Sequence, residues 1–111
     1  MDRVGDYKAI VVRILDEVAD QFPEEEDMEL ERVYNQERGH FELLRVGWRQ
    51  KRRIHGIMLH VDVKGGKVWI QHDGTEEGIA DALVDAGIPK DHIVLAFHPL
   101  YKRPYTGFAT T

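Results

Sequence analysis

Hydrophobic residues recur at intervals of three and four along the first 22 positions of the chain. This spacing places them on one face of an amphipathic helix, and Pro23 marks the point where that helix must end. An apolar stripe of this kind is typical of a helix that packs on a sheet. Its members are Val4, Tyr7, Ile10, Val11, Ile14, Val18 and Phe22.

Apolar and polar residues then alternate, as expected of half-buried strands. We predict four strands, near residues 28–34, 41–48, 57–63 and 67–71. Gly65-Gly66 supplies the positive φ angles of a two-residue hairpin turn. Such a turn pairs Val63 with Val68, Val61 with Ile70, Asp62 with Trp69 and His60 with Gln71.

A helical pattern follows the fourth strand, and a short strand follows that helix. Asp73 or Thr75 is suited to cap the helix, and Gly87 with Pro89 ends it. Its apolar stripe is Ile79, Ala82, Leu83 and Ala86, and residues 93–97 read as the final strand. The sequence therefore predicts an α+β fold in two layers: a four-stranded antiparallel meander, two helices on one face and a short C-terminal strand. Residues 1–111 form a single domain in this interpretation.

The alternation within the strands divides their side chains between two faces of the sheet. We expect the helices to cover one face, made of Met28, Leu30, Leu44, Val46, Ile57, Leu59, Val61, Val68 and Ile70. The opposite face then carries Phe41, Leu43, Arg45, Met58, His60, Asp62, Trp69 and Gln71.

That opposite face is too apolar to remain in water, and Trp, Met and Arg are enriched at the cores of protein interfaces. We predict that it packs against a second copy of the chain or a partner chain. The alternative is that the C-terminal segment folds back over it. The predicted partner-binding residues are Phe41, Leu43, Met58, His60, Trp69 and Gln71.

The amino-acid composition limits the kinds of site that the chain can form. The chain contains no cysteine and no serine, so disulfides, thiolate metal sites and the commonest nucleophiles are excluded. Its longest purely apolar run, Ile93 to Phe97, is far shorter than a membrane span. We therefore expect a cytoplasmic protein that is not an enzyme, needs no cofactor and does not enter a membrane.

One histidine-containing pair lies on the predicted third strand. His60 and Asp62 are two residues apart on a strand, so their side chains point the same way. Two ligands fall short of the four that a structural zinc site requires, and we predict no metal site. An acid–base site around His60, Asp62 and His72 is the weakest of the functional hypotheses, because no nucleophile or cofactor motif accompanies it.

The concentrated basic segment lies at the predicted hairpin between the second and third strands. Arg49, Lys51, Arg52 and Arg53 lie there beside Trp48, a combination able to contact nucleic-acid phosphates. The net charge of −5 opposes such binding. A solvated turn and a docking site for the acidic segment 24–27 are the alternatives.

Residues 69–98 read WIQHDGTEEGIADALVDAGIPKDHIVLAFH, preceded by Arg45-Val46-Gly47-Trp48 and followed by Tyr105-Thr106-Gly107-Phe108-Ala109. This combination resembles the XisI-like family, the cyanobacterial fdxN element excision controlling factors, over nearly the whole chain. The resemblance implies a controlling role in site-specific DNA excision during heterocyst differentiation, together with a companion XisH-like protein. It implies no catalytic residues.

Three hypotheses for function follow. The favoured one is a non-catalytic controlling factor that acts through protein contacts, as a homo-oligomer or with its companion. The second is a DNA-binding accessory protein that uses the hairpin from Arg49 to Arg53. The third is a small enzyme with a site near His60, Asp62 and His72.

Overall fold

The computed structural model describes residues 3–111, with side chains from residue 5 onward. The predicted stripe position Val4 therefore lies outside the described side chains. A long helix precedes a four-strand meander, a short helix and a fifth strand. The elements are α1 (Arg3–Gln21), β1 (Met28–Asn35), β2 (His40–Arg49), β3 (Arg52–Lys64), β4 (Lys67–Asp73), α2 (Ala80–Asp85) and β5 (Ile93–Leu95).

The strands form one mixed sheet of five, in the order in which they occur along the chain. β1 to β4 pair antiparallel, as predicted. β5 extends the sheet rather than standing apart, and it runs parallel to β4, with Ile93 opposite Val68 and Leu95 opposite Ile70. A parallel neighbour requires a crossover, and α2 lies within that connection. The α+β class is confirmed, and the sheet has one more strand than the predicted meander.

α1 covers one face of the sheet. Val11, Ile14 and Leu15 are buried in the same core cluster as Leu83 of α2. Polar contacts also fix α1 to the edge strand β1, because Arg32 Nη1 and Tyr34 Oη both donate to Asp16 Oδ1 over 2.9 Å. Burial and the Asp16 hydrogen bond raise the pKa of Tyr34. The two helices thus seal a single apolar layer, as the sequence predicted.

The predicted division of side chains between the two faces is partly wrong. Phe41 and Leu43 are 0% exposed and Met58 is 7% exposed, and all three belong to the core beneath the helices. Arg45 also lies on the helix side, in a cleft beside Ile14 and Val18 of α1. Conversely, three residues expected in the core lie on the open face: Leu44, Val46 and Ile57.

A β-bulge in β3 explains why Ile57 and Met58 lie on the opposite faces to those predicted. Leu43 pairs with Leu59 while Leu44 pairs with Ile57, so Met58 is an extra residue in β3. The extra residue reverses the alternation, so that Met58 and Leu59 are both buried while Ile57 faces solvent. A second bulge in β4 makes Gln71 the extra residue, and His60 pairs with His72 instead of Gln71. The predicted pairs Val63–Val68, Asp62–Trp69 and Val61–Ile70 are confirmed.

The second helix is shorter than predicted and begins later. α2 starts at Ala80, after a loop that Asp73 organises. The Asp73 carboxylate accepts hydrogen bonds from the Thr75 and Ile79 backbone N–H groups, at 2.9 and 2.8 Å. Asp73 therefore holds the loop that precedes α2 without capping the helix. The helix ends just before Gly87, which has a φ of 114°.

The C-terminal segment lies along the edge of β5. Ala109 N–H donates to the Ile93 carbonyl over 2.9 Å, and Val94 and Ala109 form a parallel bridge. Arg103 holds the intervening loop together by donating to the carbonyls of His98 and Thr110, each at 2.9 Å. The segment thus continues the sheet sideways. Within residues 3–111, no helix is long and apolar enough to cross a membrane.

Two adjacent leucines test the face assignment. Leu43→Ala removes a fully buried side chain, and we expect it to lower the free energy of unfolding by about 2–5 kcal/mol. Leu44→Ala changes a half-exposed side chain on the open face, and we expect a loss of about 1 kcal/mol. Urea denaturation of both variants measures the difference. Equal losses, or a larger loss for Leu44→Ala, would contradict the register.

Candidate interaction face and histidine–aspartate cluster

The face of the sheet opposite α1 and α2 carries the candidate functional site, called here the open face. Its side chains come from alternate positions of β1 to β4. Its apolar part includes Val33, Trp48 and Ile57, which are 43%, 49% and 40% exposed. Leu44 pairs with Ile57 across β2 and β3 and adds to the same patch. Large side chains are rarely left this exposed in a group unless they contact another molecule.

The predicted partner-binding residues divide between the two sides of the sheet. His60, Trp69 and Gln71 lie half-buried on the open face, where they were expected. The core residues Phe41, Leu43 and Met58 are shielded from any partner in this fold.

Five apolar residues of the open face were not predicted as partner-binding candidates. β2 contains two interleaved apolar sets, and nothing within the strand distinguishes the buried one. One signal was available for β1. Val33 pairs with Glu42, which lies between Phe41 and Leu43, so Val33 shares a face of the sheet with a charged side chain. These residues are Val33, Leu44, Val46, Trp48 and Ile57.

A polar cluster occupies the other part of the open face, and Asp62 is at its centre. His40 Nδ1 lies 2.9 Å from Asp62 Oδ1, and His40 Nε2 lies 2.9 Å from Glu42 Oε2. His60 Nε2 approaches the same Asp62 oxygen at 3.1 Å. Gln71 Nε2 donates to the other Asp62 oxygen over 3.2 Å. Asp62 thus links His40, His60 and Gln71 directly, and Glu42 joins the cluster through His40.

The cluster arises from strand register. His40 is opposite Asp62, and Glu42 is opposite His60, so the four side chains form two neighbouring cross-strand pairs. The His40 and His60 rings are 4.5 Å apart, centroid to centroid. Sequence spacing revealed the pair His60 and Asp62 but not His40 and Glu42, because their approach depends on the register between β2 and β3. Gln71 reaches Asp62 from the bulge in β4.

The third functional hypothesis placed an acid–base site near His60, Asp62 and His72. The structure places His60 beside Asp62, and His72 is opposite His60 in β4. His72 itself is exposed and lines a depression with Glu42, Leu44, His55 and Ile57. The group therefore lies on the surface of the strands and not in a pocket. Catalytic acids and bases usually lie in a pocket, where removal from water shifts the pKa.

The basic hairpin between β2 and β3 is partly engaged within the molecule. Arg49 forms an ion pair with Glu25 at 3.7 Å, as in the alternative in which the acidic segment 24–27 docks on the hairpin. The Arg53 guanidinium lies 5.4 Å from the centroid of the Trp48 ring. Lys51 and Arg52 are exposed at the hairpin. Of the four predicted nucleic-acid residues, these two are the most available to a ligand.

The surroundings of His40 predict its titration. The hydrogen bond to Glu42 and the nearby Asp62 carboxylate raise the pKa of His40 above 6.5. Because the folded-state pKa is raised, the stabilisation is present below the unfolded pKa and is lost as pH rises through the folded pKa. We expect Glu42→Gln to lower the pKa of His40. NMR titration of the imidazole nitrogens, in buffer containing a chelator, measures both values.

Glu31→Gln is the matched control for that titration, since Glu31 lies on the open face of β1 opposite Leu44 and outside the cluster. It should leave the His40 titration unchanged. A His40 pKa below 6.5, or equal effects of the two substitutions, would contradict the assigned cause.

Comparisons with known proteins agree with this architecture. The family described as XisI protein matches residues 1–110. A crystal structure of a XisI-like protein from Anabaena variabilis ATCC 29413 superposes with a TM-score of 0.92 at 32% identity, covering 97% of this chain and 99% of that one. The fdxN element excision controlling factor XisI from the same strain gives 0.89 at 31%, covering 99% and 100%. No curated protein matches significantly. With a family match over almost its entire length, the chain belongs to the XisI family.

Proposed function

We propose that this chain is a controlling factor in the site-specific excision of a DNA element of the fdxN type, during heterocyst differentiation, and that it acts without catalysing the reaction. Membership of the XisI family supports this role, as does the similarity to a protein named as an fdxN element excision controlling factor. The proposed mode of action is contact with other proteins. A companion XisH-like protein belongs to the same proposal.

The open face is the observation that carries the proposal. Both helices pack on the other side of the sheet, so nothing in residues 5–111 forms a second layer over Ile57. Trp48 and Arg53 lie together at one end of this face, and both are residue types enriched in interface hot spots. A strand surface is also rigid, so a partner meets side chains that are already in position.

We propose a second copy of this chain as the occupant of the open face. Two identical sheets that pack face to face would bury the same patch on both copies, as a two-fold dimer requires. Ile57 would then lie at the centre of an apolar contact with Leu44 beside it. The dimer would present a symmetric surface for the companion protein to bind.

Ile57→Asp tests the proposed dimer. A charge at this position would be buried without a partner in the dimer, and it is solvated in the monomer. We expect the dissociation constant of the dimer to rise by about 30-fold or more, equivalent to a hot-spot loss of about 2 kcal/mol. Sedimentation equilibrium measures the constant, and circular dichroism verifies folding.

Tyr105→Asp is the control, because Tyr105 is 89% exposed and lies in the C-terminal loop, outside the strands that form the open face. It should leave the dimer intact. If the wild type is a monomer and Ile57→Asp blocks its binding to the companion protein, the open face is the binding site of the companion. A wild-type monomer with no effect of Ile57→Asp on either contact would overturn the docking proposal.

Direct DNA binding by the hairpin is the second candidate, supported by the exposure of Lys51 and Arg52 at its tip. If these two residues contact phosphates, Lys51→Glu with Arg52→Glu should weaken duplex binding at low salt. Each lost contact should also lower the slope of log affinity against log salt by about 1. Fluorescence anisotropy across a salt series measures both. Absence of wild-type binding at low salt would end this candidate.

An excision reporter distinguishes the two modes of action. In a host where excision depends on this chain, protein contact predicts that Ile57→Asp reduces excision and that the double hairpin variant retains it. DNA contact predicts the reverse. Full excision with both variants would overturn the two mechanisms together.

A further inference from the structure

We propose that His40, His60 and Asp62 form a binding site for a zinc-like divalent metal ion on the open face. His40 Nδ1, His60 Nε2 and an Asp62 carboxylate oxygen would be the three ligand atoms, and they lie within 4.8 Å of one another. This inference is independent of the proposed role in excision. It replaces the sequence-based expectation of no metal site, which counted only His60 and Asp62.

The spacing of the ligand atoms suits a small ion. In a tetrahedral zinc site, bonds of about 2.0–2.1 Å place neighbouring ligand atoms roughly 3.3 Å apart. His40 Nδ1 and His60 Nε2 lie 2.9 and 3.1 Å from Asp62 Oδ1. Small side-chain rotations would therefore admit an ion between groups that now share hydrogen bonds. The sheet backbone would not have to move.

The outer contacts are those of a prepared metal site. Metal-binding histidines usually donate their second ring N–H to a carboxylate or carbonyl, which fixes the ring and its tautomer. His40 Nε2 lies 2.9 Å from Glu42 Oε2, so its Nδ1 is the nitrogen directed at the ion. Gln71 holds the second Asp62 oxygen. Two of the three ligands thus have an outer partner.

The backbone around the site is constrained as well. Gly39 precedes His40 with a φ of 66°, and a Cβ at this position would lie 2.3 Å from the Val63 carbonyl oxygen. Val63 N–H also donates to the Gly39 carbonyl over 2.7 Å. The start of β2 is therefore fixed against the end of β3, next to the pair formed by His40 and Asp62.

The ligand set indicates which ions would bind. Two imidazoles and one carboxylate favour borderline ions such as Zn²⁺ over Mg²⁺ or Ca²⁺, which prefer sites made of oxygen atoms. Three protein ligands leave a fourth position for water, as in zinc sites that keep an open position. In a single chain the cluster lies on the open face, so this position is accessible to solvent.

Zinc titration of the purified full-length chain tests the site. Competition with a chromophoric chelator at pH 7.5 measures the affinity, after any bound metal has been removed. We expect one Zn²⁺ per chain. Glu42→Gln should weaken binding by roughly 10–100-fold through loss of the outer contact, and His60→Ala or Asp62→Asn should weaken it at least as much.

His55→Ala is the matched control, since His55 is an exposed histidine on the same face of β3 but outside the cluster. It should bind Zn²⁺ as the wild type does. Zinc-dependent shifts of the His40 and His60 ring nitrogens in NMR spectra of the wild type give a second measurement that requires no variant. The proposal fails if the wild type does not bind. It also fails if His60→Ala and Asp62→Asn bind normally, or if the ring nitrogens do not shift.

Discussion

The packing of α1 and α2 on one side of a five-stranded sheet is the constraint on which the other features depend. It gives the sheet a dry side, where Leu43, Leu59 and Ile70 are fully buried, and a second side that neither helix covers. A two-layer domain of this size has no third element with which to close that side. Any binding function of the sheet surface therefore belongs to the open face.

The bulges in β3 and β4 decide which side chains reach each side. Without the extra residue at Met58, Ile57 and Leu59 would share a face, and the apolar patch would lose its most central member. Without the extra residue at Gln71, His60 would not be opposite His72. Bulges commonly redirect side chains near functional sites. Here they give one face both an apolar patch and a polar cluster.

The sequence predicted the elements better than their orientation. Helical periodicity located α1, and the Gly65-Gly66 turn gave the register of the adjoining strands near Val63. Those signals are local, because each depends on a few consecutive residues. The choice between Phe41 with Leu43 and Leu44 with Val46 is not local. It depends on how β2 pairs with β3, and both sets are equally apolar.

The same distinction explains the outcome for the polar cluster. His60 and Asp62 were identified because residues two apart on a strand share a face. His40 and Glu42 are about twenty residues away along the chain, and only the pairing of β2 with β3 brings them near. The length of α2 was also overestimated, since the apolar stripe that begins at Ile79 gave no indication that the preceding residues form a loop bound to Asp73.

The two parts of the open face have different requirements, and their proximity has a consequence. The apolar patch around Ile57 gains free energy by excluding water, whereas the cluster around Asp62 holds charge that needs water, a partner or an ion. A protein that covered the whole face would have to leave the cluster hydrated or supply polar groups to it. The sheet therefore favours a partner that is apolar where it meets Ile57 and polar where it meets His40. That requirement gives the face selectivity beyond what hydrophobic area alone provides.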